Sequence, residues 1–400
     1  MLKSFLSLCF IFLIRSLTAQ SWQLVSDFPS TERDDGVCFV MGNTAYCGTG
    51  LTPWWSACND FYRLDMSTDT WTAVAALPTG MERQYACGFS SYTLGFVFGG
   101  VNGSTFLNDV WQYTQSINSW TQKTSLPGAG RSGAACFTIN NITYIVGGRT
   151  AFNSAINEVW AYDMVNDTWQ SKNNLPFGCR WRAAASTLNN KGYLIFGKDE
   201  DDKFCRELYE YDPAQDSWTQ LSTFPGKGRT YSALKTIGSD LVLVAGLDSL
   251  GKSYKDMWRF DSPSSGWVEL DSIPSVGRRG GMCFNNSNSI YYTTGIDQTD
   301  TRLKETWKCV NPTGIITYSG SVKIDLYPNP TTESAVLELK DFVPNQHSSY
   351  AVSDHLGKLL FQASVTQKRT PINLSGFSKG LYFVQFRTGN VCLSIKLLKE

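Results

Sequence analysis

The side chains best suited to chemistry in this chain are arginines at a regular spacing. Arg33, Arg131, Arg180, Arg229 and Arg278 share one phase of a 49-residue step, Arg83 is slipped by one, and Arg182 and Arg279 are extra. Gathered around one opening, such guanidiniums would suit carboxylate or sulfate groups through bidentate bonds. The same regularity suits a scaffold in which each arginine bonds loop carbonyls of the next repeat. A second feature is Trp54-Trp55, which falls outside the repeat pattern. Tryptophans on a loop offer flat faces for sugar rings or partner side chains, unless they pack down on a neighbouring repeat. The candidate ligand-binding set is therefore Arg33, Arg83, Arg131, Arg180, Arg182, Arg229, Arg278, Trp54 and Trp55. No catalytic residue is identified: there is no G-x-S-x-G elbow and no Walker loop. No CxxC pair exists, and the run Lys198-Asp199-Glu200-Asp201-Asp202-Lys203 lacks calcium-loop spacing, so a solvated turn is expected there. Neither a metal nor a cofactor is predicted.

The elements that must hold these side chains are set by tryptophan. Trp22, Trp71, Trp120, Trp169, Trp218 and Trp267 lie 49 residues apart, each followed seven residues later by a proline. Nine residues before all but the first stands an aromatic, Tyr62, Trp111, Trp160 or Tyr209, then Trp258, with Trp307 one step further. In Asn157–Pro176 a tight hairpin centred on Met164-Val165 would set Trp160 opposite Trp169, a favourable cross-strand pair. Asp163 and its equivalents Asp65, Asp212 and Asp261 read as turn residues rather than metal ligands. Upstream lie a small-residue strand and a buried strand ending in glycine, as at Gly99-Gly100 and Gly147-Gly148. Glycine there permits positive φ and close backbone approach. One unit thus holds four short strands, a to d, in a meander.

These residues resemble the kelch repeat: the glycine pair, then Trp or Tyr, then Tyr-Asp, then Trp. The resemblance runs from about Ser21 to Val310 and implies a β-propeller with one four-stranded blade per repeat. Trp22 to Pro29 is a strand d without its own a, b and c, whereas Arg278 to Val310 supplies a, b and c without d. The N-terminal strand is therefore expected to complete the last blade, giving six blades and a closed ring. Some kelch propellers resemble galactose oxidase, whose copper needs histidines. The two histidines here, His347 and His355, lie beyond the propeller, which argues against a copper oxidase. Others resemble sialic acid mutarotases, but no catalytic motif aligns at Arg206-Glu207.

Lys+Arg and Asp+Glu balance at 35 each, so no global field favours nucleic acid. The first residues, with Lys3, an apolar run from Leu6 to Ile14 and a small-residue cut between Ala19 and Gln20, read as a secretory signal peptide over 1–19. No other apolar run is long enough to span a bilayer as a helix. Export makes Cys47 with Cys58, and Cys179 with Cys205, possible disulfides. Cys38, Cys87, Cys136 and Cys283 share one phase on strand a and are expected to be buried thiols that do not meet.

Residues 311–322 form a connector, after which the tryptophan repeat stops. From Lys323 to Glu400 short alternating strands predict a small Ig-like β-sandwich. This stretch resembles the type A C-terminal sorting domain of the type IX secretion system. The carrying motifs include Tyr327-Pro328-Asn329-Pro330, Gly357 within Asp354–Lys358, and Gly380 with Tyr382. The resemblance implies the type IX machinery as a partner. It also implies Sec-type export to the periplasm, passage across the outer membrane, and release or surface attachment. The expectation is an all-β chain: a signal peptide over 1–19, a six-bladed kelch β-propeller over 21–310 closed by its N-terminal strand, a linker over 311–322 and the sorting sandwich over 323–400. Its expected role is binding of a glycan or protein, the alternative being a carbohydrate-active enzyme resembling a sialic acid mutarotase or epimerase.

Overall fold

A computed structural model describes residues 21–151, 154–262, 266–312, 323–340, 348–355, 358–388 and 391–400. They fall into two compact units, one of them Ser21–Thr313 and the other containing the residues from Lys323 onward. No α-helix occurs among the described residues.

Among the described residues, the first unit is built from six sheets of four or five strands, with two small two-stranded sheets beside them. Sheet 3 shows the plan: strands a (Ala135–Ile139), b (Ile142–Val146), c (Val159–Asp163) and d (Thr168–Lys172) lie in that order as an antiparallel meander. Strand b is buried along almost its whole length, because neighbouring sheets cover both its faces. Strand d is polar and mostly exposed. The apolar content of b and the Thr, Gln and Lys content of d follow from those two environments.

The sheets close on themselves. The innermost strands Val37–Met41, Cys87–Ser90, Ala135–Ile139, Ala184–Leu188, Ala233–Ile237 and Met282–Asn285 contact one another in sequence, and the last returns to the first. Ser21–Leu24 pairs antiparallel with Thr306–Val310, so the N-terminal strand is strand d of the sheet holding Trp307. The indoles record the same closure. Trp71, Trp120 and Trp169 donate to the carbonyls of Ser26, Ala75 and Thr124, each 45 residues earlier. Trp22 has nothing 45 residues before it and donates instead to Asp271 at 2.8 Å, the equivalent position on the sheet before it in the ring.

Three expectations are corrected. In the hairpin of sheet 3, Trp169 lies opposite Tyr162, and Trp160 opposite Ser171. The loop spans Met164–Asp167 rather than centring on Met164-Val165, with Asp167 at φ 55°. Asp163 Oδ1 accepts the N–H groups of Val165 and Asn166, which holds this wider turn as its turn role predicts. The strand-a cysteines also meet across sheets. Cys38 Sγ donates to the Cys283 carbonyl at 3.2 Å, and Cys136 Sγ to the Gly88 carbonyl at 3.5 Å. Near the axis the innermost strands are close enough for equivalent residues to touch. Cys47, Cys58, Cys179 and Cys205 are free thiols, and Cys47 stands opposite Cys38 rather than Cys58.

The second unit is a β-sandwich. A three-stranded sheet (Lys323–Tyr327, Ser334–Lys340, Arg369–Asn373) and a four-stranded sheet (Leu359–Ser364, Ser349–Asp354, Gly380–Thr388, Val391–Lys399) share one core around Leu337, Ile372, Val352, Val384 and Leu397.

Candidate functional site

The phased arginines are struts. Arg33, Arg83, Arg131, Arg180, Arg229 and Arg278 are all buried. Five of them meet a carboxylate 26 or 27 residues later in their own repeat. Arg83 reaches both oxygens of Asp109 at 2.8 and 2.9 Å, and Arg229 both of Asp256 at 2.6 and 2.7 Å. Arg33 bonds Asp60, Arg131 bonds Glu158 and Arg278 bonds Glu305. Arg33, Arg83, Arg229 and Arg278 also donate to a carbonyl 16 residues on. From the other side the Trp111, Trp160, Trp258 and Trp307 indoles donate to the same carboxylates. Burial alone would raise the Asp60, Glu158 and Glu305 carboxyls, but these hydrogen bonds outweigh it and hold them below the usual range. Arg180 differs, donating to the Phe177 and Cys179 carbonyls.

The expectation that these arginines bind ligand around one opening is therefore corrected: the Arg131 and Arg229 side chains, for instance, are 0% and 3% exposed. They also bond within their own repeat, not to the next one. The sequence held the signal, since Asp60, Asp109, Glu158, Glu207, Asp256 and Glu305 are themselves spaced by 49.

Two residues beyond each strut lies the position that faces the axis: Asp35, Tyr85, Gly133, Arg182, Tyr231 and Gly280. All six have φ between 56° and 66°. Their backbones are linked around the opening. Asp35 N–H donates to Gly280 at 2.7 Å, Tyr85 to Asp35 at 3.0 Å, Gly133 to Tyr85 at 2.9 Å and Arg182 to Gly133 at 2.7 Å. Glycine takes this left-handed conformation freely; for Tyr and Arg it is strained and persists because neighbouring sheets impose it.

The side chains at these positions converge. The Arg182 guanidinium carbon lies 4.4 Å from the Tyr85 ring centre, 4.1 Å from that of Tyr231 and 4.3 Å from that of Trp181. Tyr85 and Tyr231 are 6.2 Å apart, ring centre to ring centre. Asp35 is buried beside them. Burial first, and Asp34 second, push its carboxyl well above the usual range, against the pull of Arg182 and a hydrogen bond with Tyr85. Burial also drives the Tyr85 hydroxyl upward and that of Tyr231 to about 12. The mouth thus holds an arginine and a carboxyl group with two neutral phenols between aromatic walls. Of these residues only Arg182 stands out in the sequence. Asp35, Tyr85, Trp181 and Tyr231 become visible once residues are compared at the phase two beyond the struts.

Trp54 and Trp55 lie on the connection between strands b and c of the first sheet, which pairs through Leu51 with Asp34. They are 74% and 75% exposed. Trp55 N–H donates to Thr52, and Thr52 N–H to Ser56, so the turn is tied at its base. The Arg302 guanidinium, bonded to Asp34 at 2.6 Å, lies 4.9 Å from the Trp55 ring centre. The acidic run after Lys198 is a turn in which Asp199 accepts the N–H groups of Asp201 and Lys203.

In the sandwich, Asn329 of the Tyr327-Pro328-Asn329-Pro330 motif ties its loop to the last strand. It donates to the Lys396 carbonyl at 2.6 Å and accepts Leu398 N–H at 3.0 Å. Tyr382 is buried and its hydroxyl donates to Ser378; Gly380 opens the same strand. Ala19, Gln20 and Gly357 lie outside the described residues.

Comparison with known proteins agrees with this architecture. The KLHDC2/KLHL20/DRC7 Kelch-repeats domain model matches residues 3–177. The Attractin/LZTR1 beta-propeller model matches residues 96–322, more than half of the chain. The Secretion system C-terminal sorting domain model matches residues 325–400. No curated protein matches the chain. A solved structure titled "Structure of YjhT" superposes with a TM-score of 0.62 at 19% identity, over 70% of this chain and 95% of that one. At that identity the likeness is one of fold. The sorting domain directs the protein through type IX secretion to the cell surface or beyond, and among the described residues no helix is long and apolar enough to cross a membrane. By its repeats, its closed sheets and a family model that matches residues 96–322, the chain belongs to the Attractin/LZTR1 beta-propeller family and carries a type IX secretion sorting domain.

Proposed function

We propose that this protein is an exported binding module for a glycan or a protein, a glycan being favoured, and that it works through the face bearing Trp54 and Trp55. The carrying observation is the exposure of these adjacent indoles, 74% and 75%, on a turn tied by its own hydrogen bonds. Large apolar side chains held rigidly in water are characteristic of recognition surfaces. The division of labour in this reading is a cleaved leader over 1–19, Sec-type export, a six-bladed propeller over 21–310, a linker over 311–322 and a sorting sandwich over 323–400.

The Asp35–Arg182 arrangement is what an epimerase or mutarotase reading would use. Against it, the Tyr85 and Tyr231 rings crowd the mouth, and the cleft beside them holds about 80 Å³, below the ~300–1,000 Å³ of small-molecule sites. A glycan array probed with the intact chain and with Trp54→Ala/Trp55→Ala tests the binding reading. Each ring contact contributes ~0.5–1.5 kcal/mol beyond its area, so loss of both should weaken binding about tenfold or more. The melting temperature should stay unchanged, because neither ring is in the core. Binding equal in the two proteins would reject this face.

A further inference from the structure

Trp181 is buried, yet the groups covering it are cationic. The Arg149 guanidinium carbon is 3.9 Å from its ring centre, that of Arg182 4.3 Å, and Lys198 Nζ 5.5 Å. Lys198 has a carboxylate, Asp202. Among the described residues, no ion pair reaches Arg149 or Arg182, in contrast to the five struts. Arg182 Nε is buried without a hydrogen-bond partner, and so is Gln84 Oε1. Burial and the charge of Arg182 both work against the charged form of Arg149, and the weaker attraction of Asp202 does not make up for them. Two like charges are thus held beside one indole, a cost that an anion would relieve.

Arg149, Trp181 and Arg182 line one cleft with the polar Gln84, Tyr85 and Ser132, and Val101, Gly103 and Phe106 supply the rest of its wall. Its backbone is already fixed. Arg149 and Ser132 exchange hydrogen bonds at 2.9 and 3.0 Å, Trp181 and Lys198 at 3.0 Å, and Gln84 and Val101 at 2.9 and 3.1 Å. A fixed cleft loses little freedom on binding. At about 80 Å³ it has room for a small group, not for a whole sugar ring.

We infer that Arg149 and Arg182 form a clip for the carboxylate of an acidic sugar, with the Gln84 side-chain carbonyl accepting a neighbouring hydroxyl. Planar guanidiniums suit a planar carboxylate, and an unpaired buried acceptor suits a ligand that carries hydroxyls. The remainder of the glycan lies outside the cleft on the face bearing Trp54 and Trp55. The inference rests on the glycan-binding reading and names its ligand class.

Calorimetric titration of the full chain with trigalacturonate and with neutral galactotriose tests it. Trigalacturonate should bind about tenfold tighter or more, as charge-assisted bonds allow. That preference should shrink as salt rises from about 50 to about 300 mM. Arg149→Gln should abolish the preference while the melting temperature holds, and Arg182→Lys, which keeps charge but loses the planar fork, should retain part of it. Equal binding of both sugars, or a preference untouched by Arg149→Gln, would overturn the clip and leave the glycan-binding reading standing. Binding of hexaglutamate with neither sugar bound would overturn the sugar assignment, and silence toward both sugars on a glycan array as well would overturn the two readings together.

Discussion

At Arg229 the guanidinium meets Asp256 at 2.6 and 2.7 Å, and the Trp258 indole meets the same carboxylate at 2.8 Å. A pair this enclosed is built for geometry rather than ligand exchange, since taking away either partner strands a buried charge. The opposite condition holds at Asp35. Burial and Asp34 raise its carboxyl, so the folded chain holds that proton more tightly than the unfolded chain does. Stability from this group is therefore complete below the ordinary carboxylate range and is lost as pH rises from there through the folded value. Asp35→Asn removes the loss and tolerates the left-handed backbone at φ 57°. At pH 7 it should stabilise by ~0.5–2 kcal/mol, the usual size for relieving one unfavourable site. The gain should vanish below about pH 4, where both states are protonated. Melting curves from acid to neutral pH check this; a variant less stable at pH 7, or equally improved at every pH, contradicts it.

Each d strand is an outer edge whose tryptophan reaches the sheet before it, and Ser21–Leu24 does this for the whole ring. Trp22 is half-buried and bonded to Asp271, rather than enclosed like a core tryptophan. Trp22→Ala should therefore cost less than the ~3–5 kcal/mol of truncating a fully buried Trp. The lost indole bond and partial burial together should cost ~1–3 kcal/mol. Urea unfolding should show a lower midpoint with an unchanged slope, because the same surface is exposed on unfolding. An unchanged midpoint would mean that the first strand adds nothing to closure.

The protein as a whole combines a closed propeller with a sandwich whose motif loop is pinned to its own last strand. Thr331 N–H donates to Leu398, and Glu400 N–H donates back to Thr331. Lys399 Nζ is buried against the Leu374 and Phe377 carbonyls. The final strand is therefore integral to the sandwich, and loss of its last residues would unpin the motif. Deletion of Lys323–Glu400 should leave a folded propeller in the periplasm. Material outside the cell should lack the region after about Val322. Mass spectrometry of both fractions decides the matter, and surface-exposed protein with Glu400 intact would sink the sorting reading.

What the sequence by itself determined is whatever repeats. Strand phase, turn aspartates, the lone fourth strand at the start of the repeats and the missing one at their end are local or periodic features, and a constant step of 49 residues makes them add in register. The hairpin register slipped only because Met164–Asp167 forms a wider loop than the pattern suggested. The role of the arginines was written in a second periodicity, the carboxylates from Asp60 to Glu305, but only packing shows that each closes on its own strut. The site itself belongs to the tertiary structure. Asp35, Tyr85, Arg182 and Tyr231 are of three different types and lie in four different repeats. They meet because closure turns equal spacing along the chain into equal spacing around an axis, where one left-handed residue from each repeat faces the same small space.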